Sequence, residues 1–164
     1  MTTLPQLAAR ARMKGMRPAG DQVLAFSDME VDYAIARDGA HDGDGAHDGD
    51  RRGDDDGAFR VERSSRGGAP VLLIGETDRA TAERYLAALL AAEVRFAAGL
   101  PALQADRGAL ARGVDLTEDS SGVRLRWGSR SALLPATRSA RSQAEAFSHL
   151  VDASIDDIAA RHGL

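Results

Sequence analysis

Val114-Asp115-Leu116-Thr117-Glu118-Asp119-Ser120-Ser121-Gly122-Val123-Arg124-Leu125-Arg126-Trp127 is the stretch that decides the fold. Val114 and Leu116 alternate with Asp115 and Thr117, and Val123, Leu125 and Trp127 alternate with Arg124 and Arg126. A period of two is that of half-buried strands. Glu118 to Gly122 is turn-forming sequence, so the two strands make a hairpin, and a hairpin is antiparallel. Ser131 to Leu134 predicts a short strand beyond it.

Upstream the same pattern returns. Val31, Tyr33 and Ile35 alternate with Asp32, Ala34 and Ala36, and Phe59 and Val61 alternate with Arg60 and Glu62. Val23 to Phe26 predicts a short strand before them. Ser64 to Pro70 is a turn, followed by Val71-Leu72-Leu73-Ile74, a continuous apolar run expected to be a strand buried on both faces. Between the two strand groups the period becomes helical: Ala82, Tyr85, Leu86, Leu89, Leu90 and Val94 form one stripe, with Asp78 as N-cap and Gly99 and Pro101 as the stop. Leu4 to Met13 predicts a further helix. Ser142-Gln143-Ala144-Glu145 and Ser154-Ile155-Asp156-Asp157 have capping-box spacing ahead of two C-terminal helices. The expected fold is α+β: an antiparallel sheet of about six strands in two hairpin groups, with one long central helix and the C-terminal helices packed on one face.

Residues 38–57 interrupt this order. Gly39-Ala40-His41-Asp42-Gly43-Asp44 repeats in tandem as Gly45 to Asp50, and the segment holds eight Asp against Arg51 and Arg52. Its local charge of −6 leaves +2 for the other 144 residues, because the whole chain carries −4. With no apolar side chain larger than Ala, such a segment cannot bury enough surface to offset its ordering entropy. It is expected to be a disordered Asp/Gly-rich loop inserted between two strands of a single domain spanning residues 1–164. A loop lengthens at a cost of only about 0.6 kcal/mol per doubling, so a hairpin tolerates it.

Composition excludes whole classes of function. With no cysteine, disulfides, thiolate nucleophiles and sulfur-ligated zinc are absent. Leu7-Ala8-Ala9 is too short for a signal-peptide core, and Tyr85 to Ala92 falls well below the ~20 apolar residues that cross a bilayer, so the expected address is cytoplasmic with no membrane partner. Outside the acidic segment no strong basic excess marks a nucleic-acid partner.

No constellation for catalysis stands out. An EF-hand frame starting at Asp42 puts Ala46 and His47 where an oxygen ligand and a glycine are required, and one starting at Asp48 puts Arg52 and Phe59 at ligand positions. Ser148 and His149 are helix neighbours pointing about 100° apart, a surface polar pair rather than a dyad, and His162 is placed at a frayed C-terminus. No phosphate loop occurs. The chain is therefore read as having no enzymatic activity and no cofactor. Arg124 and Arg126 share a strand face, either as a clamp for a partner's carboxylate or as the solvated side of a half-covered sheet. Trp127, on the apolar alternation of that strand, is expected in the core rather than as a binding anchor.

From Phe59 to Ile158 the chain resembles the bacterial immunity proteins that neutralise the tuberculosis necrotizing toxin and related NAD-glycohydrolase toxins. The likeness rests on Ala82-Glu83-Arg84-Tyr85-Leu86, Val94-Arg95, Gly99-Leu100-Pro101-Ala102-Leu103, the Val123-to-Trp127 strand and the Ala144-to-Ser148 helix start with Phe147-Ser148, in that order. The first 58 residues add little to it. The resemblance implies a cytoplasmic antidote that binds a cognate protein toxin and blocks its NAD site. On that expectation Arg124, Arg126 and the run Asp54, Asp55 and Asp56 are the candidate partner-binding residues. A secretion chaperone or adaptor and a small ligand-binding domain are the alternatives that the same features permit.

Overall fold

The computed structural model describes residues 1–38, 57–66, 68–103 and 108–164. Its elements run α1 (Leu4–Arg10), β1 (Lys14–Met16), β2 (Gln22–Ser27), β3 (Val31–Arg37), β4 (Phe59–Ser65), β5 (Val71–Thr77), α2 (Arg79–Ala97), β6 (Asp115–Asp119), β7 (Gly122–Trp127), β8 (Arg130–Pro135), α3 (Ala140–Ser148) and α4 (Ile155–Arg161). Of the segment 38–57 that is expected to be disordered, residues 39–56 lie outside the described residues, while Asp38 and Gly57 are described.

The strands form one eight-stranded antiparallel sheet in the order β1-β2-β3-β4-β5-β8-β7-β6. Eight strands replace the expected six. β1 is only three residues long and fully exposed, so its sequence carries no period to read. Each strand group is a meander of hairpins, and the two meanders meet where the last strand of each lies side by side, Gly75 opposite Leu133. The connection between them is α2, which explains why this junction is not a hairpin.

Local chemistry sets the helix ends. Asp78 caps α2 by accepting the Thr81 backbone N–H at 2.8 Å, and Gly99 at φ +67° ends it with Leu100 N–H donating to Arg95 O at 2.9 Å. Thr3 and Gln6 form a capping box on α1, as Ser154 and Asp157 do on α4. The expected box at Ser142 is not a cap. α3 begins earlier, at Ala140 after Ser139, and the Ser142 hydroxyl donates to Ser139 O at 3.0 Å.

α2 crosses β3, β4 and β5, α3 lies on β7 and β8, and α1 and α4 pack against α2. Tyr85 of α2 meets Phe147 of α3 edge to face, with centroids 5.0 Å apart. One contiguous core joins the helices to Phe26, Tyr33, Ile35, Phe59, Val61, Val123, Leu125 and Trp127 on the sheet. Trp127 is 6% exposed, as a core residue should be. The stripe of α2 buries Ala82, Tyr85, Leu86, Leu90 and Val94, while Leu89 sits at its edge and is only partly buried. Val71 to Ile74 is not buried on both faces: Val71 is 62% exposed and Leu72 and Leu73 are partly buried. The helices cover a single side of the sheet, so an apolar run there cannot be covered twice.

Candidate protein-binding face

The side of the sheet opposite the helices follows from the strand registers. Ile35 lies beside Val61 in the core, so their neighbours Asp32, Ala34 and Ala36 on β3 and Arg60, Glu62 and Ser64 on β4 point the other way. Arg124 lies opposite Leu133 and Thr117, and Arg126 opposite Asp115, on the same uncovered side of β6, β7 and β8. Small side chains line its middle: Ala25 is 7% exposed, Ala34 5% and Ala36 0%, screened by the charged groups around them.

Arg60 organises one end of this face. Its guanidinium donates to Glu62 at 2.5 Å, to Asp21 and to the carbonyl of Arg37, and lies 3.5 Å from Asp38. Burial opposes its charge, but the hydrogen bonds it donates to Glu62 and Asp21 more than offset this and hold its pKa above the ordinary arginine value. Asp38 also accepts the Glu76 N–H at 2.9 Å, which ties β3 to β5. Sequence patterning misses this network, because Asp21, Asp38 and Glu76 come from turns and a bulge, with Glu76 at φ +49°.

Arg124 and Arg126 do share a face, as expected. Arg124 is tied to Glu76 at 2.7 Å, whereas Arg126 is exposed. They are brought onto the same open face as the Arg60 network, but Asp54, Asp55 and Asp56 lie outside the described residues.

Ser148 and His149 are not a surface pair. Ser148 is 1% exposed, accepts the Ala111 N–H at 2.9 Å and donates to Glu145 O at 2.6 Å, while the His149 ring contacts Ala109 O at 3.0 Å. Each is spent on the backbone that holds the segment before β6 against α3. Both border a cavity of about 590 Å³ between α3, α4 and the start of β6, where Asp157 caps α4 and Asp152 pairs with Arg130 at 3.2 Å. Those two carboxylates serve local structure, and Arg112 and Arg161, which also line the cavity, are exposed. His162 is not frayed: it is 9% exposed and its carbonyl accepts from Arg95 at 2.7 Å. Among the described residues no group of three or more His, Asp or Glu side chains is placed to hold a metal ion, and no helix is long and apolar enough to cross a membrane.

Residues 7–161 match the family Immunity protein 61. The chain belongs to that family. The match bears out the immunity-protein resemblance read from Phe59 onward and extends it upstream to residue 7, over the part of the chain that carries β1, β2 and β3. Among solved structures the chain is similar to Rv3902c from M. tuberculosis, with a TM-score of 0.71 and 18% identity, over 100% of this chain and 89% of that one. At that identity the likeness speaks for the fold. No curated protein matches the chain. Membership in an immunity-protein family implies a protein toxin as partner.

Proposed function

We propose that this protein is a cytoplasmic antitoxin that binds a cognate secreted toxin of the NAD-glycohydrolase type and blocks its active site. The observation that carries the reading is the family match over residues 7–161, nearly the whole chain. A helix-backed sheet with one face free supplies a rigid platform for such a contact, since groups held by a hydrogen-bonded sheet lose little freedom on binding. Nothing in the geometry favours the chaperone or small-ligand alternatives over the family match: in the cavity beside α4, Asp157 is committed to a helix cap and Asp152 to an ion pair.

The test is inhibition at defined stoichiometry. A toxin domain recovered with this chain in a pull-down from its own lysate is purified and its NAD hydrolysis titrated with this chain. The expected result is loss of hydrolysis with an endpoint at one chain per toxin domain. Undiminished hydrolysis at several-fold excess, or a complex that forms while NAD is still cleaved, defeats the reading.

A further inference from the structure

Two rows of side chains cross the open face from β1 to β4. One reads Met16, Ala25, Ala34, Glu62, and the next reads Lys14, Ser27, Asp32, Ser64. Between them lies a cleft of about 240 Å³, with Ala25 and Ala34 among its lining and Met16 and Pro70 beside them. Met16 is 52% exposed, so the wall it makes is open to a partner.

The two carboxylates that line the cleft differ in what they have left to give. Glu62 is held by Arg60 at 2.5 Å. Asp32 is half-buried, and among the described residues its partner is the Ser64 hydroxyl at 3.3 Å, with no cation in ion-pair range. Lys14 lies two strands away in the same row, roughly 10 Å at ordinary strand spacing. Arg17 lines the cleft but is exposed and forms no ion pair with Asp32 among the described residues.

We propose that this cleft is the specificity pocket of the toxin contact, and that it receives one lysine or arginine side chain of the toxin, whose charge pairs with Asp32. The proposal rests on the antitoxin reading and adds to it where the contact lies. An apolar floor with a carboxylate at one side matches a long basic side chain, which lays its methylenes on apolar surface and keeps its head on a charge. The volume also suits one side chain, being smaller than the ~300–1,000 Å³ of ordinary small-molecule sites.

The experiment measures the affinity of the same purified toxin domain for the wild-type chain and for D32K, D32N, M16R and F96D. D32K puts a like charge in the cleft, M16R fills it from its own wall, and Phe96, 81% exposed at the end of α2, reports on the helix side. D32K and M16R are each expected to weaken binding tenfold or more, D32N less, with melting temperatures unchanged and F96D near wild type. A toxin lysine or arginine changed to glutamate should restore binding to D32K. Affinities within threefold of wild type for both D32K and M16R overturn the cleft, as does a loss confined to F96D. Should the wild-type chain itself fail to bind, the antitoxin reading falls and the cleft with it, so the two failures are distinguishable.

Discussion

At position 122 a β-carbon would lie 2.0 Å from Leu134 O and 3.0 Å from Ala136 N, and the backbone sits at φ +145°, a conformation L side chains rarely adopt. Gly122 closes the β6–β7 turn directly beside β8, so both the conformation and the close approach require glycine. Gly122→Ala is expected to destabilise the fold by about 2 kcal/mol or more, measured by urea unfolding. A loss below about 0.5 kcal/mol, the range of ordinary surface changes, would contradict the geometry. A second residue acts through charge. Burial, and then the nearby Arg95, hold the His162 imidazole below its ordinary 6.5, and its Nδ1 has no partner among the described residues. Protonation therefore favours the unfolded chain: this contribution is complete above the unfolded value and is lost as pH falls through the lower folded one. Stability should fall as pH drops below the ordinary 6.5, and His162→Gln should remove that part of the slope. An identical slope in the variant would place the titrating group elsewhere.

Elements were readable to the extent that their own residues carry a period. α2 is the clearest, with eight buried positions on one side and a cap at Asp78 that the sequence names in advance. Leu86 is 0% exposed on that stripe, so Leu86→Ala should cost roughly 2–5 kcal/mol in chemical unfolding. Leu89→Ala should cost clearly less, because Leu89 is only partly buried, and equal losses would mean that its edge position is misassigned. The β3–β4 and β6–β7 hairpins were legible for the same reason as α2, since alternation marks both the strand and its buried side. Three features were not. β1 has neither length nor alternation. The β5–β8 junction joins residues nearly sixty positions apart through a single register pair, Gly75 with Leu133, which no local pattern encodes. The run Val71 to Ile74 is apolar enough for a doubly covered strand, but Leu72 lies opposite Glu62 on the uncovered side, and Val71, at the start of the strand opposite Arg63, is 62% exposed. The open face was half legible: Arg124 and Arg126 were placed on one face by alternation, but Asp32 reads as an ordinary polar alternate of β3 until its neighbours across two strands are known.

For the whole molecule, the question is whether the acidic repeat belongs to the working surface or only connects two strands. The ladder between β3 and β4 runs unbroken from Val31 opposite Ser65 to Arg37 opposite Phe59, and Asp38 N–H donates to Ala58 O at 2.7 Å just beyond it. Pairing is therefore complete before the repeat begins, and Asp38 is already fixed by Glu76 N–H and Arg60. A tandem GAHDGD duplication inside such a closed hairpin shifts every following residue of the segment, which a contact needing fixed geometry would not tolerate. Against this stands the long-range effect of the seven Asp of residues 39–56, able to speed the approach of a basic toxin surface without touching it in the complex. The two views separate in the rate constants. Replacing residues 39–56 with a short Gly-Ser turn is expected to leave the melting temperature unchanged and toxin affinity within about tenfold, or about 1.4 kcal/mol. Any change should sit in the association rate and shrink as salt is raised, because steering is screened and a seated contact is not. A hundredfold loss of affinity, carried by faster dissociation and persisting at high salt, would instead place Asp54, Asp55 and Asp56 in the interface and move the centre of the contact from the cleft at Asp32 to the end of the β3–β4 hairpin.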